Sequence, residues 1–552
     1  MHRKKIRFVS NNPSALIPVV KTTENGTGFR KDCRPVHVFK DTLIKSKDRV
    51  RDHGEVFTPG HIVDEMIALI PDSIWSDPER TTLEPTCGNG NFIIAIIKKK
   101  MSCGQTLMQA LNNTYGIDIM PDNVLEIYER IFKEFLTGPC RDEDRVKALS
   151  MALYHIRLVA NKNGGTLGLN LSKISKCFPS ITGLPDKRIR CIQQKAIMLF
   201  NILSGGMISN KVFLSSARKC ILLPLNLEKE IGMTIATDTF DVVIGNPPYQ
   251  EKDDGYGPSA KPLYHKFIEM AIDKISPQYL SFIIPSRWMA GGKGLDAFRA
   301  RMKKDKRLKI IRRFYDKIFE NVEITGGVCY FLWDKNYSGL CSFNNEKRDL
   351  DKFDIIVRDN ISEKILEKVI LKNFPSLGEK VSSLKPFGLS TNFQDWDKNG
   401  LICYARKRSK HYITKEKIPR IHNSFGFWKV LAAKASGDSF LNATHNKGLR
   451  NIFIAEPNEV STETYIVLNW FGTKNEAENF YKYTQTKFFQ ALLSTRVISQ
   501  HITKEKFSFI PDLKDYTKVW TDKELYEMFD LTEEEIDHIE IYIKSVLSPV
   551  RP

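Results

Sequence analysis

The feature that most constrains the fold is a regular alternation of short apolar runs with amphipathic helical patterns between about residues 55 and 335. The runs that we predict as strands are 81–83, 115–117, 240–244, 280–284, 309–314 and 328–333. The predicted helices are 62–70, 92–100, 123–135, 263–275 and 295–302. Strands separated by helices form βαβ units rather than hairpins. The sequence therefore predicts an α/β fold with a doubly wound, mostly parallel sheet.

The alternation is lost after residue 335, where the composition turns polar, basic and aromatic. A chain of 552 residues also exceeds a single domain of roughly 100–200 residues. We expect a basic N-terminal arm or cap at 1–50, an α/β domain at 51–335 with an enlarged segment at about 141–235, and a mixed α/β region at 336–552. In that last region, apolar residues at helical spacing within the acidic stretch after Trp520 predict a docked amphipathic terminus.

The net charge is +18, and the basic residues are unevenly distributed. They concentrate at 301–313 and at 404–420, where Tyr404 and Tyr412 are interleaved, whereas 521–540 is acidic. Segregated basic charge favours a polyanionic partner, usually nucleic acid. For the run at 404–420, an ordinary solvated surface explains the pattern equally well.

Several classes of protein are excluded at this stage. No apolar run approaches the roughly 20 residues that a membrane-spanning helix needs, and the basic N-terminus precedes no apolar signal core. The ten cysteines include no Cys-x-x-Cys pair. We therefore expect a cytoplasmic protein in a reducing compartment, with no membrane partner and no metal site.

Two loops at predicted strand ends indicate a nucleoside-containing ligand. The loop from Glu84 to Phe92 contains Gly88 and Gly90, whose missing Cβ atoms allow close approach of the backbone to a ligand. One strand later, Asp118 is placed to accept hydrogen bonds from ribose hydroxyls. Each signal is weak alone, because glycines often serve steric needs in such turns and a strand-end Asp is often a helix cap.

The third loop, Gly245-Asn246-Pro247-Pro248-Tyr249, follows a buried strand and is the most informative. The two prolines stiffen the backbone and offer no amide donors. The side-chain oxygen of Asn246 and the main-chain oxygen of Pro247 are two acceptors suited to a planar amino group, and Tyr249 offers a flat face for stacking. An ordinary proline turn would explain the prolines but not the complete Asn-Pro-Pro-Tyr tetrad.

Taken in order, these motifs resemble those of the gamma-class adenine-N6 DNA methyltransferases of type II restriction–modification systems. The resembling segments are Phe57-Thr58-Pro59, Leu83–Phe92 (LEPTCGNGNF), Tyr115–Asp118, Asn246–Tyr249, Ile284–Trp288 and Gly326–Phe331. The resemblance implies the Rossmann-like fold of S-adenosylmethionine-dependent methyltransferases, with the catalytic domain at 51–335 and target recognition at 336–552. It also implies double-stranded DNA as substrate and a cognate restriction endonuclease as a further partner.

The resemblance assigns roles to individual residues. Asn246, Pro247 and Tyr249 are expected to be catalytic. The residues expected to bind S-adenosylmethionine are Phe57, Thr58, Glu84, Thr86, Gly88, Gly90 and Asp118. Those expected to contact DNA or the flipped base are Tyr330, Phe331, Arg406, Lys407, Arg408 and Lys410.

One departure from the family leaves alternatives open. The family usually carries an acidic residue after the third strand that binds the adenine amino group of the cofactor, but residues 161–167 (NKNGGTL), at about that place, contain none. This motivates a second hypothesis, a catalytically silent DNA-binding specificity subunit. A bifunctional restriction–modification enzyme is a third, although only about 50 residues precede the first motif and they show no nuclease cluster.

Overall fold

A single mixed sheet organises the first part of the chain. The computed structural model describes residues 45, 49, 55–158, 194–197, 199–200, 240–250, 261–292, 294–314, 318–319, 324, 326–434, 449, 451–497 and 502–547. The strands of the sheet are β1 (Thr82–Glu84), β2 (Thr114–Asp118), β3 (Ile156–Leu158), β4 (Val242–Gly245), β5 (Tyr279–Pro285), β6 (Leu308–Arg313), β7 (Val328–Asp334), β8 (Cys341–Phe343) and β9 (Glu346–Arg348). Their spatial order is β3-β2-β1-β4-β5-β7-β6-β8-β9.

The sheet is mostly parallel, as the alternation predicts. The five strands from β3 to β5 in spatial order are parallel neighbours, and β8 is parallel to β6. Only β7, which pairs antiparallel with β5 and β6, and β9 break the pattern. The carboxyl ends of β1, β2, β4 and β5 therefore lie at one edge of the sheet, where such folds bind ligands.

Helices cover both faces of this sheet. They are α1 (Gly60–Ala68), α2 (Asp72–Ser76), α3 (Asn91–Ser102), α4 (Leu107–Asn112), α5 (Pro121–Phe135), α6 (Asp142–His155), α7 (Tyr264–Met270, continued by a π-helical turn at Ala271–Ile275) and α8 (Asp296–Lys304). Alternate residues of β4 face opposite sides: Val242 and Ile244 pack with α1, whereas Val243 packs with α7. Burial on both faces explains why these strands read as continuous apolar runs.

The sheet extends beyond the last predicted strand. The six predicted strands agree with observed ones to within about two residues, but β3, β8 and β9 were not predicted, because each is only three residues long. Arg348 is therefore the last residue of the sheet. The division into domains stays a prediction, and residues 161–167, where the acidic residue was sought, lie outside the described part of the chain.

The C-terminal region carries two small sheets and five helices among its described residues. The strands are β10 (Leu401–Tyr404), β11 (Lys410–Ile413), β12 (Trp428–Ala433), β13 (Phe453–Ala455), β14 (Val460–Ser461) and β15 (Tyr465–Phe471), ordered β11-β10-β14 and β13-β12-β15. The helices are α9 (Asn360–Leu371), α10 (Lys474–Thr484), α11 (Lys487–Arg496), α12 (Asp522–Met528) and α13 (Glu533–Leu547). The acidic stretch docks as predicted, since Leu525, Phe529 and Ile539 are buried in the core of this region.

No helix in the described residues is long and apolar enough to cross a membrane.

Candidate active site

A cleft of about 740 Å³, open to solvent, lies at the carboxyl edge of the sheet. This volume includes space that is open to bulk solvent. It is formed by the loops after β1, β2 and β4 and by the segment that precedes α1. The predicted site residues that line it are Phe57, Thr58, Glu84, Thr86, Gly88, Asp118 and Asn246. Four motifs that are far apart in the chain therefore meet in one place.

The two glycines of the first loop have different roles. Gly88 lines the cleft with a φ of +49°, and a Cβ there would lie 3.0 Å from a ring carbon of Phe57. Gly90 does not line the cleft. It precedes α3 with a φ of +86°, and a Cβ there would lie 2.6 Å from Cγ1 of Ile127 on α5. The prediction that Gly90 approaches the ligand is therefore replaced by a steric role, in which it allows the loop to pack on α5.

Asp118, at the end of β2, is held in place by donors from three residues. Its carboxylate accepts hydrogen bonds from the backbone N–H groups of Gly88 and Met120, both at 2.8 Å, and from the amide of Asn123 at 3.2 Å. Burial raises the pKa of Asp118 to about 6, although the same hydrogen bonds act against this rise. The carboxylate is thus ionised at neutral pH, with its position fixed before any ligand binds.

Glu84, at the end of β1, is almost completely buried, and its Oε2 has no hydrogen-bond partner. Burial, and then the nearby charge of Asp118, raise the pKa of Glu84 well above its usual value. The hydroxyl of Thr58 is also buried without a partner. Buried polar atoms are nearly always hydrogen-bonded in native proteins, so unpaired ones in a cleft indicate where a polar ligand belongs.

Asn246 is oriented by the segment that precedes α1. Its amide nitrogen donates to the carbonyl of Val56 at 2.9 Å, while its side-chain oxygen, Oδ1, is buried with no partner. The hydroxyl of Thr86 donates to the main-chain oxygen of Asn246 at 3.0 Å. Because the nitrogen is already engaged, Oδ1 is the atom that remains to accept a hydrogen bond.

The other predicted catalytic residues lie beside the cleft rather than in it. Pro247 is buried and Tyr249 is half-buried, and neither is among the residues that line the cleft. The ring of Tyr249 packs edge-on against Tyr264, with 6.5 Å between the ring centroids. Burial raises the pKa of Tyr249, so its hydroxyl stays neutral.

The structure contradicts the assignment of Tyr330 and Phe331 to the flipped base. Both lie on β7, where consecutive side chains face opposite sides of a sheet that is covered on both faces. Phe331 is 1% exposed within the sheet core, and Tyr330 is 4% exposed, with its hydroxyl donating to Glu65 at 2.9 Å. Neither side chain is accessible to a base.

The predicted phosphate-binding residues lie on the hairpin between β10 and β11. Arg406, Lys407, Arg408 and Lys410 are exposed. The hairpin is ordered by Arg408, whose backbone N–H donates to the hydroxyl of Tyr465 at 2.9 Å and whose guanidinium lies 4.3 Å from the ring centroid of Phe453. Contact of these residues with DNA stays a prediction.

Among the lining residues to which the sequence assigned no role are Glu55, Cys87 and Asn123. Asn123 donates to Oε1 of Glu55 at 2.7 Å, so these two are neighbours. Two of them carried a signal in the sequence, since Glu55 lies two residues before the predicted motif at Phe57 and Cys87 lies within the motif Leu83–Phe92. In the described residues, no group of three or more His, Cys, Asp or Glu side chains is arranged to hold a metal ion.

Comparisons with known proteins show which sequences this chain resembles. Residues 112–319 match the family described as Eco57I restriction-modification methylase. An "uncharacterized adenine-specific methylase" of Mycoplasma pneumoniae (strain ATCC 29342 / M129 / Subtype 1) is 42% identical over 114 residues, which is 19% of this chain and 26% of that protein. The chain thus matches about a quarter of that relative's length.

Two solved structures have weaker similarity. A modification subunit of a putative type I restriction enzyme from Vibrio vulnificus YJ016 is 12% identical, with a TM-score of 0.28 over 51% of this chain and 45% of that one. The type IIL restriction-modification enzyme MmeI, solved in complex with DNA, is 9% identical, with a TM-score of 0.41 over 92% and 78%. The family match and the Mycoplasma relative, rather than these structures, confirm the resemblance to adenine-specific methyltransferases of restriction–modification systems that the motifs predict.

Proposed function

We propose that this chain is a site-specific DNA methyltransferase, which transfers a methyl group from S-adenosylmethionine to the N6 amino group of adenine in duplex DNA. Its biological role is then the modification component of a restriction–modification system. The observation that carries the proposal is the side chain of Asn246, whose unpaired Oδ1 is held at the cleft together with the other three motifs.

The residues of the cleft fit S-adenosylmethionine. Asp118 supplies a fixed carboxylate for the ribose hydroxyls, and Gly88 provides a surface without a Cβ. The unpaired oxygens of Glu84 and Thr58 are suited to the polar groups of the methionine part, which carries an ammonium and a sulfonium. When bound, this cofactor supplies an electrophilic methyl group whose leaving group needs no acid.

The tetrad then acts on the substrate. The target nitrogen is inside the duplex, so the base must rotate out at a cost of a few kcal/mol, which stacking on Tyr249 offsets in part. Oδ1 of Asn246 and the carbonyl oxygen of Pro247 each accept a hydrogen bond from one N–H of the amino group. These two hydrogen bonds favour a pyramidal geometry at the nitrogen and direct its lone pair toward the methyl group. The hydrogen bond from Asn246 to the carbonyl of Val56 fixes the position of Oδ1 before the substrate binds. Little reorganisation of this acceptor is therefore needed in the transition state.

The silent-subunit hypothesis has no structural observation in its favour, because the segment that motivated it lies outside the described residues. The two hypotheses differ in what Asn246 does. If Asn246 only braces a turn, its loss removes one hydrogen bond, costs about 1 kcal/mol of stability and leaves turnover per folded molecule intact.

The test is single-turnover methylation of a cognate duplex by Asn246→Ala. We expect the rate to fall by at least about a hundredfold, as it does when a preorganised contact to the transition state is removed. Binding of S-adenosylmethionine, measured by isothermal titration, should survive. Asn246→Asp, which still accepts, should be milder. Asn475→Ala, on the exposed side of α10, is the control. Normal turnover in folded Asn246→Ala would overturn the catalytic role.

A further inference from the structure

Two basic side chains that precede the first motif contact the N-terminal part of α5, beside the cleft. Nζ of Lys45 lies 2.6 Å from a carboxylate oxygen of Glu126 on this helix. The guanidinium of Arg49 donates two hydrogen bonds to Asp122, in the first turn of the helix, at 2.7 and 2.5 Å. Only 23% of the Lys45 side chain and 17% of the Arg49 side chain are exposed. Both cations are therefore sheltered from solvent and held against α5.

Lys45 also contacts Asn123, a cleft residue to which the sequence assigned no role. Its Nζ donates to the side-chain oxygen, Oδ1, of Asn123 at 2.8 Å. The two ends of an amide group differ in chemistry, because the oxygen only accepts hydrogen bonds and the nitrogen only donates them. An ammonium group can only donate. It therefore favours the orientation in which Oδ1 faces Lys45 and the amide nitrogen, Nδ2, faces away from it.

Nδ2 of Asn123 faces two carboxylates that line the cleft. It donates to Oε1 of Glu55 at 2.7 Å and to Oδ1 of Asp118 at 3.2 Å. The reversed orientation would place the amide oxygen against both carboxylates and the amide nitrogen against an ammonium group, which is unfavourable at each contact. Asn123 is 1% exposed, so water has little access to replace a lost partner. The Lys45 ammonium thus determines which atom of Asn123 is presented to Asp118.

Asp118 needs this donor because most of the titratable groups around it are acidic. These groups are the carboxyl groups of Glu55 and Glu84, the thiol of Cys87 and the guanidinium of Arg49. Burial raises the pKa of Asp118 to about 6, and the hydrogen bond from Asn123 is one of those that oppose the rise. Loss of that hydrogen bond should therefore raise the pKa of Asp118 further.

We propose that Lys45 is a positioning residue of the cofactor site, which orients the amide of Asn123 so that Asp118 is held in place for the ribose of S-adenosylmethionine. The inference rests on the proposed function, since it assumes that Asp118 binds this cofactor. It assigns a role to a residue outside every motif recognised in the sequence. Lys45 is not among the residues that line the cleft, so its effect on the ligand passes through Asn123.

The experiment measures the affinity of the full-length chain for S-adenosylmethionine by isothermal titration at several pH values on both sides of the pKa of Asp118. We expect Lys45→Met to weaken binding near neutral pH by about three- to tenfold, as the loss of one hydrogen bond does. The pH below which affinity falls should rise by roughly 0.5 to 1 unit, because the Asp118 carboxylate loses a donor. Lys45→Arg keeps a cationic donor and should restore most of the wild-type profile.

Two controls separate positioning from a general structural role and from a direct effect of charge. Lys99→Met, on α3, removes a lysine whose side chain is 27% exposed and whose Nζ lies 2.8 Å from Asp72, and it should leave the binding profile unchanged. In an Asn123→Ala background, Lys45→Met should shift the pH profile no further, because the residue that transmits its effect is absent. If the charge of Lys45 acted on Asp118 through space, the same shift would appear in both backgrounds.

The outcomes separate this inference from the proposed function. An unchanged pH profile in Lys45→Met, or an equal shift in the Asn123→Ala background, overturns the positioning role even if the wild-type chain methylates DNA. If the variants shift cofactor binding as expected but the wild-type chain methylates no duplex, the positioning role stands and the proposed function fails. A wild-type chain that does not bind S-adenosylmethionine overturns both. Thermal melting confirms that each variant is folded.

Discussion

The cleft at the carboxyl edge of the sheet and the β10–β11 hairpin both carry predicted functional residues, but they differ in how far those residues are exposed to solvent. In the cleft, Glu84, Thr58 and Asn246 hold buried polar atoms that have no partner. On the hairpin, Arg406 and Lys407 are exposed and solvated. The cleft is preorganised by burial, whereas the hairpin relies on charge that water and salt already screen.

This difference in burial predicts where substitutions should have large effects and where they should have small ones. An interaction inside a low-dielectric cleft is strong, because desolvation has already occurred and partner positions are fixed. An exposed charge contributes little alone and mostly through its number and its dependence on salt. If the comparison holds, substitutions in the cleft should have large effects that depend little on salt. Substitutions on the hairpin should have small effects that depend strongly on salt.

The largest effect should be on stability, at Gly90, which lies in the same loop as the cleft residue Gly88 but packs on α5. Gly90→Ala places a Cβ 2.6 Å from Ile127 at a φ of +86°, so we expect a loss of about 2–4 kcal/mol from the left-handed conformation and overpacking together. Chemical unfolding measures this. Gly60→Ala, where nothing lies within 4 Å of the added Cβ, is the control and should change stability by less than about 1 kcal/mol. Equal stabilities for the two variants would contradict the steric role.

The next effect should be on cofactor affinity, at Asp118. Asp118→Ala removes a charged acceptor that is worth about 1.5–3 kcal/mol, which is a loss of roughly 10- to 150-fold in affinity for S-adenosylmethionine. Isothermal titration measures it. Asp144→Ala, at an exposed ion pair on α6, is the matched control. An unchanged dissociation constant for Asp118→Ala would remove Asp118 from the cofactor site.

The pH dependence of cofactor binding sharpens the same assignment. Burial raises the pKa of Asp118 to about 6. The carboxylate that we propose accepts hydrogen bonds from the ribose hydroxyls is therefore protonated as pH falls through that value. Affinity should thus be constant above about pH 7 and fall below pH 6, by up to about tenfold per pH unit. Folding stability changes with pH in the opposite direction to cofactor affinity. Because the pKa of Asp118 is raised in the folded protein, its contribution to the free energy of unfolding is lost as pH rises through about 6. Asp118→Asn should flatten the binding profile.

The smallest single effect should be on the hairpin. Lys407→Gln is expected to weaken DNA binding by about 1 kcal/mol or less at low salt, to reduce the salt slope by about 0.9, and to change stability by less than about 0.5 kcal/mol. Anisotropy titrations at several salt concentrations test this, with Lys523→Gln as the charge-matched control. A loss of DNA affinity of more than tenfold that does not depend on salt would show that the hairpin acts like the cleft, and would contradict the comparison.

The sequence by itself determined the parts of this protein that depend on local chemistry. Apolar runs such as 240–244 predicted buried strands to within two residues, because burial on both faces leaves a continuous apolar pattern. Gly88, Asp118 and Asn246 were identified because their motifs follow one another along the chain in the order seen in the family, although the signals at Gly88 and Asp118 are weak alone.

Tertiary structure decided what depends on neighbours distant in the chain. Phe331 and Tyr330 resemble site residues in sequence, yet packing on both faces of β7 buries them. Gly90 looks like a ligand-binding glycine until Ile127 of α5 is placed against it. The orientation of Asn246 depends on Val56, 190 residues earlier. Long-range packing sets burial, hydrogen-bond partners and local field, and no pattern of nearby residues records these quantities.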